Sequence, residues 1–251
     1  MKYYFILLFG CLCSLSYSQT TEANASIIVN YIYTKQLEGM PNVTEINSTL
    51  IANNNVAAYE MDFLNNSNFV RESDGEQGTI LAIRPTKNPI IFKDLKTDKV
   101  FNKENIMSKF YLIEDDLSVM FNWTLSQNYK EILGYKCQEA TTHYRGRDYK
   151  AYFTTEIPFS TGPWKFGGLP GLILKTESLD GVFKIVANKI ELKNSQSTIE
   201  NPFESTQNEA ISWDEFIEIY QNKYLDLQNY RSPAGGSMSI PTKNIETYIK
   251  E

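Results

Sequence analysis

Hydrophobic and polar positions alternate along much of this chain. Ile27, Val29, Tyr31 and Tyr33 share one parity, the period-two mark of a strand with one buried face. The extended pattern resumes over 43–59, is broken by the turn signal Asn53-Asn54-Asn55, and gives a separate strand over 56–61. Residues 65–78 read as a loop, and 79–84 and 90–95 as strands around Pro85 and Pro89. The stretch 99–109 is too polar for the pattern to assign. From there the β signal strengthens over 110–114, 121–125, 134–143, 149–155, 171–178 and 183–192, which are rich in aromatic or β-branched residues. Arg145-Gly146-Arg147-Asp148 and Asp180-Gly181 predict antiparallel hairpins. The period then changes. Ser212 and Glu215 have capping-box spacing, and Trp213, Phe216, Ile217, Tyr220, Tyr224 and Leu227 recur at helical steps. This predicts an amphipathic helix over 212–229, stopped before Pro233. Its polar face is acidic, which suits covering a sheet better than lying on a membrane.

These elements predict a mainly β, single-domain fold over 19–251: one curved antiparallel sheet or half-barrel with the C-terminal helix packed on it. Composition agrees. Hydrophobic residues at 42% and charged residues at 22% build a core and exclude overall disorder, and aromatics at 13% favour strands. The net charge of −6 excludes a phosphate-backbone binder, so no nucleic-acid partner is expected.

Residues 1–18 have a secretory signal's three parts: Lys2, an apolar run, then small residues Ser16 and Ser18 flanking Tyr17. Cleavage after Ser18 is expected. Leu8-Phe9-Gly10-Cys11 has the outline of a lipobox, but bulky Phe9 stands where a small residue is usual. No later stretch approaches the roughly 18 consecutive apolar residues that span a bilayer. The expectation is an exported chain of the periplasm or envelope. Once cut, it would hold a single thiol, Cys137, which excludes an internal disulfide.

The most unusual segment runs from Ile157 to Lys175. Pro158, Pro163 and Pro170 remove backbone donors, while Gly162, Gly167, Gly168 and Gly171 permit close approach or positive φ. It predicts a turn-rich crossover that carries Trp164, Phe166 and Leu169 inward and then enters a central strand at Leu172. It lacks the glycine order and terminal Lys-Ser/Thr of phosphate loops. Gly168-Leu169-Pro170-Gly171-Leu172-Ile173 resembles the signature of the GLPGLI family of secreted Bacteroidetes proteins. Trp123, the block from Ile132 to Ala140, Arg145-Gly146-Arg147, Ala151-Tyr152-Phe153, Ile157-Pro158 and Gly162-Pro163 resemble the same family in order. The resemblance implies an exported β-rich envelope protein, with a TonB-dependent outer-membrane system or a lipid-like ligand as partner. It brings no catalytic residues. Strand order is also similar to the half-barrel of periplasmic lipoprotein carriers.

Candidate chemistry is sparse, and neither a catalytic set nor a cofactor or metal is expected. Trp164, Phe166, Leu169, Tyr135, Tyr152 and Trp123 are the side chains expected to line an apolar pocket, with the core as their ordinary use. Arg145 and Arg147, at a hairpin tip, are either solvated or grip an acidic headgroup or partner. Cys137 is the one possible reactive thiol. His143 lies six residues along the same strand, about 20 Å away if extended, whereas a base must reach within about 3 Å. Asp148 lies across the hairpin turn from His143 and could orient it. Glu114-Asp115-Asp116 lacks the spacing of a calcium loop and reads as a charged strand end. The leading expectation is a non-catalytic binding or accessory protein, holding a hydrophobic or amphipathic ligand in the curved sheet. The alternative is a cysteine-dependent envelope enzyme.

Overall fold

The computed structural model describes residues 25–35, 44–65, 86–193, 198–230, 239–242 and 245–249. The leader expected at 1–18, with Cys11, and the strand expected at 79–84 lie outside them. The described elements are β1 (Ser26–Lys35), β2 (Thr44–Asn53), β3 (Val56–Met61), β4 (Ile90–Asp94), β5 (Lys99–Ile106) and β6 (Lys109–Asp116). A short helix α1 (Leu117–Met120) leads to β7 (Thr124–Ile132), β8 (Tyr135–Tyr144), β9 (Arg147–Thr154), β10 (Leu172–Ser178) and β11 (Phe183–Lys193). A 3-10 turn (Glu204–Glu209), β12 (Ile211–Ser212) and α2 (Trp213–Asn229) complete it.

All strands belong to one open, curved sheet ordered β12-β6-β5-β4-β3-β2-β1-β11-β10-β9-β8-β7. Neighbours are antiparallel, except that β12 runs parallel to β6. Connectivity alone requires the curvature. From β6 to β7 is ten strand spacings, or ~48 Å across a flat sheet. The chain covers that gap between Asp116 and Thr124, and eight residues reach at most ~28 Å. The sheet must therefore curl until its ends approach one another.

The inner face is set by strand register. Tyr31 lies opposite Ser48, Leu50 opposite Tyr59, Tyr59 opposite Ile91, Lys93 opposite Val100, and Val100 opposite Asp115. The crossover 157–171 fills this concave side. Trp164, Phe166 and Leu169 are buried in its core with Tyr31, Tyr149 and Phe183. Lys93 Nζ donates to the carbonyls of Gly162 (2.8 Å) and Phe166 (2.7 Å) and to Thr161 Oγ1 (3.3 Å). Tyr31 Oη donates to the Ile173 carbonyl and Trp123 Nε1 to that of Gly167.

On the outer face, Phe203 from 198–210 covers Phe92, Phe101 and Leu112. Helix α2 begins where expected, with Ser212 Oγ accepting from the Glu215 N–H. It packs on the inner face: Trp213, Phe216 and Tyr220 meet Ile106, Ile113 and Tyr248, and Ile106 and Ile113 share the parity of Val100 and Asp115. Burying a side chain as large as Phe216 contributes about 2–3 kcal/mol.

Two elements depart from the sequence pattern. The polar stretch at 99–109 forms β5 and the start of β6, because the inner face here carries polar residues such as Asn102 and Glu104. The strand expected over 121–125 starts at Thr124 and runs to Ile132 through Ser126–Lys130. As the edge strand β7, it is exposed on nearly every residue, so alternation carries no signal there.

Candidate functional site

Where the two ends of the curled sheet meet, four chain segments bring charges together. Asp115 at the end of β6 points inward, while its neighbours Glu114 and Asp116 do not. Glu114 pairs with Lys99, and Asp116 caps α1 by accepting from Ser118 N–H. The turn between β8 and β9 has positive φ at both central residues, Arg145 (45°) and Gly146 (75°). That is the twist a two-residue hairpin requires, and it aims the Arg145 guanidinium at Asp115. Arg145 meets Asp115 through both terminal nitrogens (2.6 and 3.0 Å) and also reaches Glu246. Lys165, fully buried in the crossover, donates to Glu246 (2.8 Å) and Asp115 (3.3 Å). The Arg145 guanidinium lies 3.9 Å from the Trp213 ring centroid and 4.8 Å from that of Tyr144.

Burial alone would discharge Lys165, but Glu246 and Asp115 outweigh it and its pKa is raised. Burial likewise opposes charge on Asp115; Lys165 and Arg145 overcome it and hold the carboxyl below its usual range. Arg145, Lys165 and Asp115 thus stay charged against burial, with Glu246 as the second carboxylate partner of both cations. β6 and β8 are nine strand spacings apart in the sheet, so this ionic clasp joins its two ends.

Above the clasp lies a cleft of about 620 Å³. Val119 and Met120 of α1 form one wall, and His143, Tyr144 and Arg145 a second. Trp213, Asp214, Ile217 and Gln221 of α2 form a third, and Thr247 and Tyr248 close the end. Val119 is 78% exposed, an apolar side chain open to solvent at the cleft. His143 Nδ1 lies 2.7 Å from Asp148 Oδ1 at the rim, so Asp148 orients the imidazole as its place across the turn suggested.

The residues singled out from sequence separate into three groups. Trp123, Trp164 and Phe166 come together in the core, with Trp164 and Phe166 ring centroids 4.9 Å apart and Leu169 buried beside them. Tyr135 and Tyr152 are half-buried at the margin of that core, and Tyr152 Oη donates to Glu139. Arg145 and Arg147 are a correction: neither is a solvated tip free to grip an acidic partner. Arg145 is neutralised in the clasp, and Arg147, 3% exposed, pairs with Asp180 on the neighbouring hairpin. The reason is the curl, which turns this hairpin inward against β6. Cys137 is fully buried, and burial, aided by Glu156, pushes its thiol up to about 11. The unshifted β8–β9 register keeps it far along the strand from His143, which leaves the imidazole without a thiolate to activate.

Lys165 and Glu246 escaped the sequence reading. Lys165 carried a faint signal, a lone cation between Trp164 and Phe166 in an apolar run. Glu246 carried none, because its segment has no periodicity.

Comparison with known proteins finds similarity to a family model and to solved structures. Residues 96–215 match the family model for the N-glycanase peptide, N-terminal domain. The likeness is to an N-terminal domain. A structure of PNGF-II in a C2 crystal form superposes with a TM-score of 0.50 at 13% identity, covering 80% of this chain and 33% of that one. A P21 form of PNGF-II gives 0.49 at 15% identity, covering 79% and 34%. An outer membrane lipoprotein-sorting protein domain from Vibrio parahaemolyticus gives 0.28 at 7% identity, covering 71% and 88%. The chain thus spans about a third of the length of the PNGF-II structures, and the likeness is one of fold. No curated protein matches it in sequence.

Proposed function

We propose that this chain is an exported, non-catalytic binding module of the cell envelope, of GLPGLI type, and that the cleft over the clasp is its ligand site. The cleft carries the reading: its walls join the exposed Val119 and half-buried Ile217 to aromatic and carboxylate groups, the mixed lining an amphipathic ligand requires. The concave interior, by contrast, is already filled by the crossover and its aromatic side chains. The leader-like N-terminus supports export. The match to an N-terminal domain supports a module that works beside other machinery, here an outer-membrane transport system.

Native mass spectrometry on chain purified from its host envelope tests this reading. The expected result is a mass retained only under native conditions and lost in Ile217→Arg, which places a charge in the cleft without touching the clasp. An unliganded chain, or a mass unaffected by Ile217→Arg, would count against the cleft.

A further inference from the structure

The walls of the cleft are unequal in charge. Among the lining residues and their direct ion-pair partners, the permanent cations are Arg145 and Lys165, and both are spent on Asp115 and Glu246. Asp116 and Asp214 add two further carboxylates at the rim, and neither carries an ion-pair with a cation in the lining. Asp116 accepts from Ser118 and feels Lys99 across the strand pair, a cation already paired with Glu114, and Asp214 stands in the first turn of α2 beside Glu215. An anionic headgroup, phosphate or fatty carboxylate would meet an excess of negative charge, with each of these cations already paired to a carboxylate.

The molecule already shows what this wall holds well. Arg145 is a basic side chain placed between the rings of Tyr144 and Trp213 and bound through two nitrogens by Asp115. Beside it, the exposed Val119 and the half-buried Ile217 offer aliphatic surface. Resting on the cleft being the ligand site, we infer that its occupant is a peptide segment in which Lys or Arg alternates with aliphatic residues. The cations meet Asp116 and Asp214, and the aliphatic side chains lie on Val119 and Ile217.

The test is calorimetry with three blocked hexapeptides, in which leucine alternates with arginine, with serine or with glutamate. The arginine peptide should bind, and its affinity should fall as salt rises from about 50 to about 500 mM. The double variant Asp116→Asn, Asp214→Asn should weaken it roughly tenfold. Asn also caps helices well, so α1 keeps its start. Val119→Ser should weaken the arginine and serine peptides alike. Equal or tighter binding of the serine or glutamate peptide, or an unchanged double variant, would overturn the basic occupant while leaving the cleft in place. Binding indifferent to Val119→Ser would overturn the cleft as well. Failure of all three peptides would overturn this inference, with the native-mass adduct then deciding the cleft independently.

Discussion

Glu104 illustrates how much polar chemistry the inner face holds. It accepts from Asn102 Nδ2 (2.8 Å) and Tyr248 Oη (3.2 Å), and burial together with Glu246 pushes its carboxyl up to about 7 against the opposing pull of Lys165. The folded pKa therefore lies above the ordinary carboxylate value, so folded Glu104 holds a proton that the unfolded chain has released. Below about pH 4.5 both states are protonated and nothing is lost. Between there and about 7 stability falls as pH rises, and above 7 the whole cost is present. Glu104→Gln removes that cost. Urea unfolding should show the variant more stable than the parent at pH 8 by up to ~3 kcal/mol and near parity at pH 4. Lys93 is the complementary case: burial drives its pKa well down, and its Nζ donates to three acceptors of the crossover. Neither residue was legible as interior, because a charged letter within a strand pattern reads as solvent-facing until its partners on other segments are known.

The crossover is the element in which sequence and structure agree most closely. Its three prolines and four glycines predicted an ordered, non-sheet segment that buries Trp164, Phe166 and Leu169, and it does so before entering β10 between β9 and β11. The hexapeptide beginning at Gly168 is explained by backbone geometry. Gly171 has φ +151°, and a Cβ there would sit 2.0 Å from the Thr154 carbonyl oxygen. Pro170 beside it is exposed. Gly171→Ala should thus cost about 3 kcal/mol or more in denaturant unfolding, and Pro170→Ala under about 1 kcal/mol. Equal effects would mean that the close approach is not what selects glycine. The edge strand β7 marks the opposite limit: exposed on nearly all sides, it has no alternation to read.

At the scale of the whole molecule, the curl and its clasp were the least legible. Local patterns supplied most of the strands and α2, and curvature was expected beside a strand order similar to a half-barrel. The meeting of Asp115, Arg145, Lys165 and Glu246 depends on contacts between segments 30 to 101 residues apart, for which one sequence has no marker. Arg145 is the position at which to test it. Its left-handed backbone suits asparagine better, so Arg145→Asn should keep the hairpin turn while leaving Asp115 and Glu246 to Lys165 alone. Breaking a buried ion pair in this way should lower unfolding stability by about 3 kcal/mol. A variant as stable as the parent would show that aromatic packing, and not the clasp, holds the ends together.

Strand order carries one more consequence. The first described strand, β1, lies in the middle of the sheet between β2 and β11, and β11 follows it by roughly 150 residues. A chain made or threaded through a membrane N-terminus first can form the meander from β1 to β6 early, but its other half returns to β1 only at the end. Until β11 emerges, β1 presents an open row of backbone donors and acceptors on its far side. Synthesis and folding are thus ordered by topology, and the two halves of the sheet join only once β11 has been delivered.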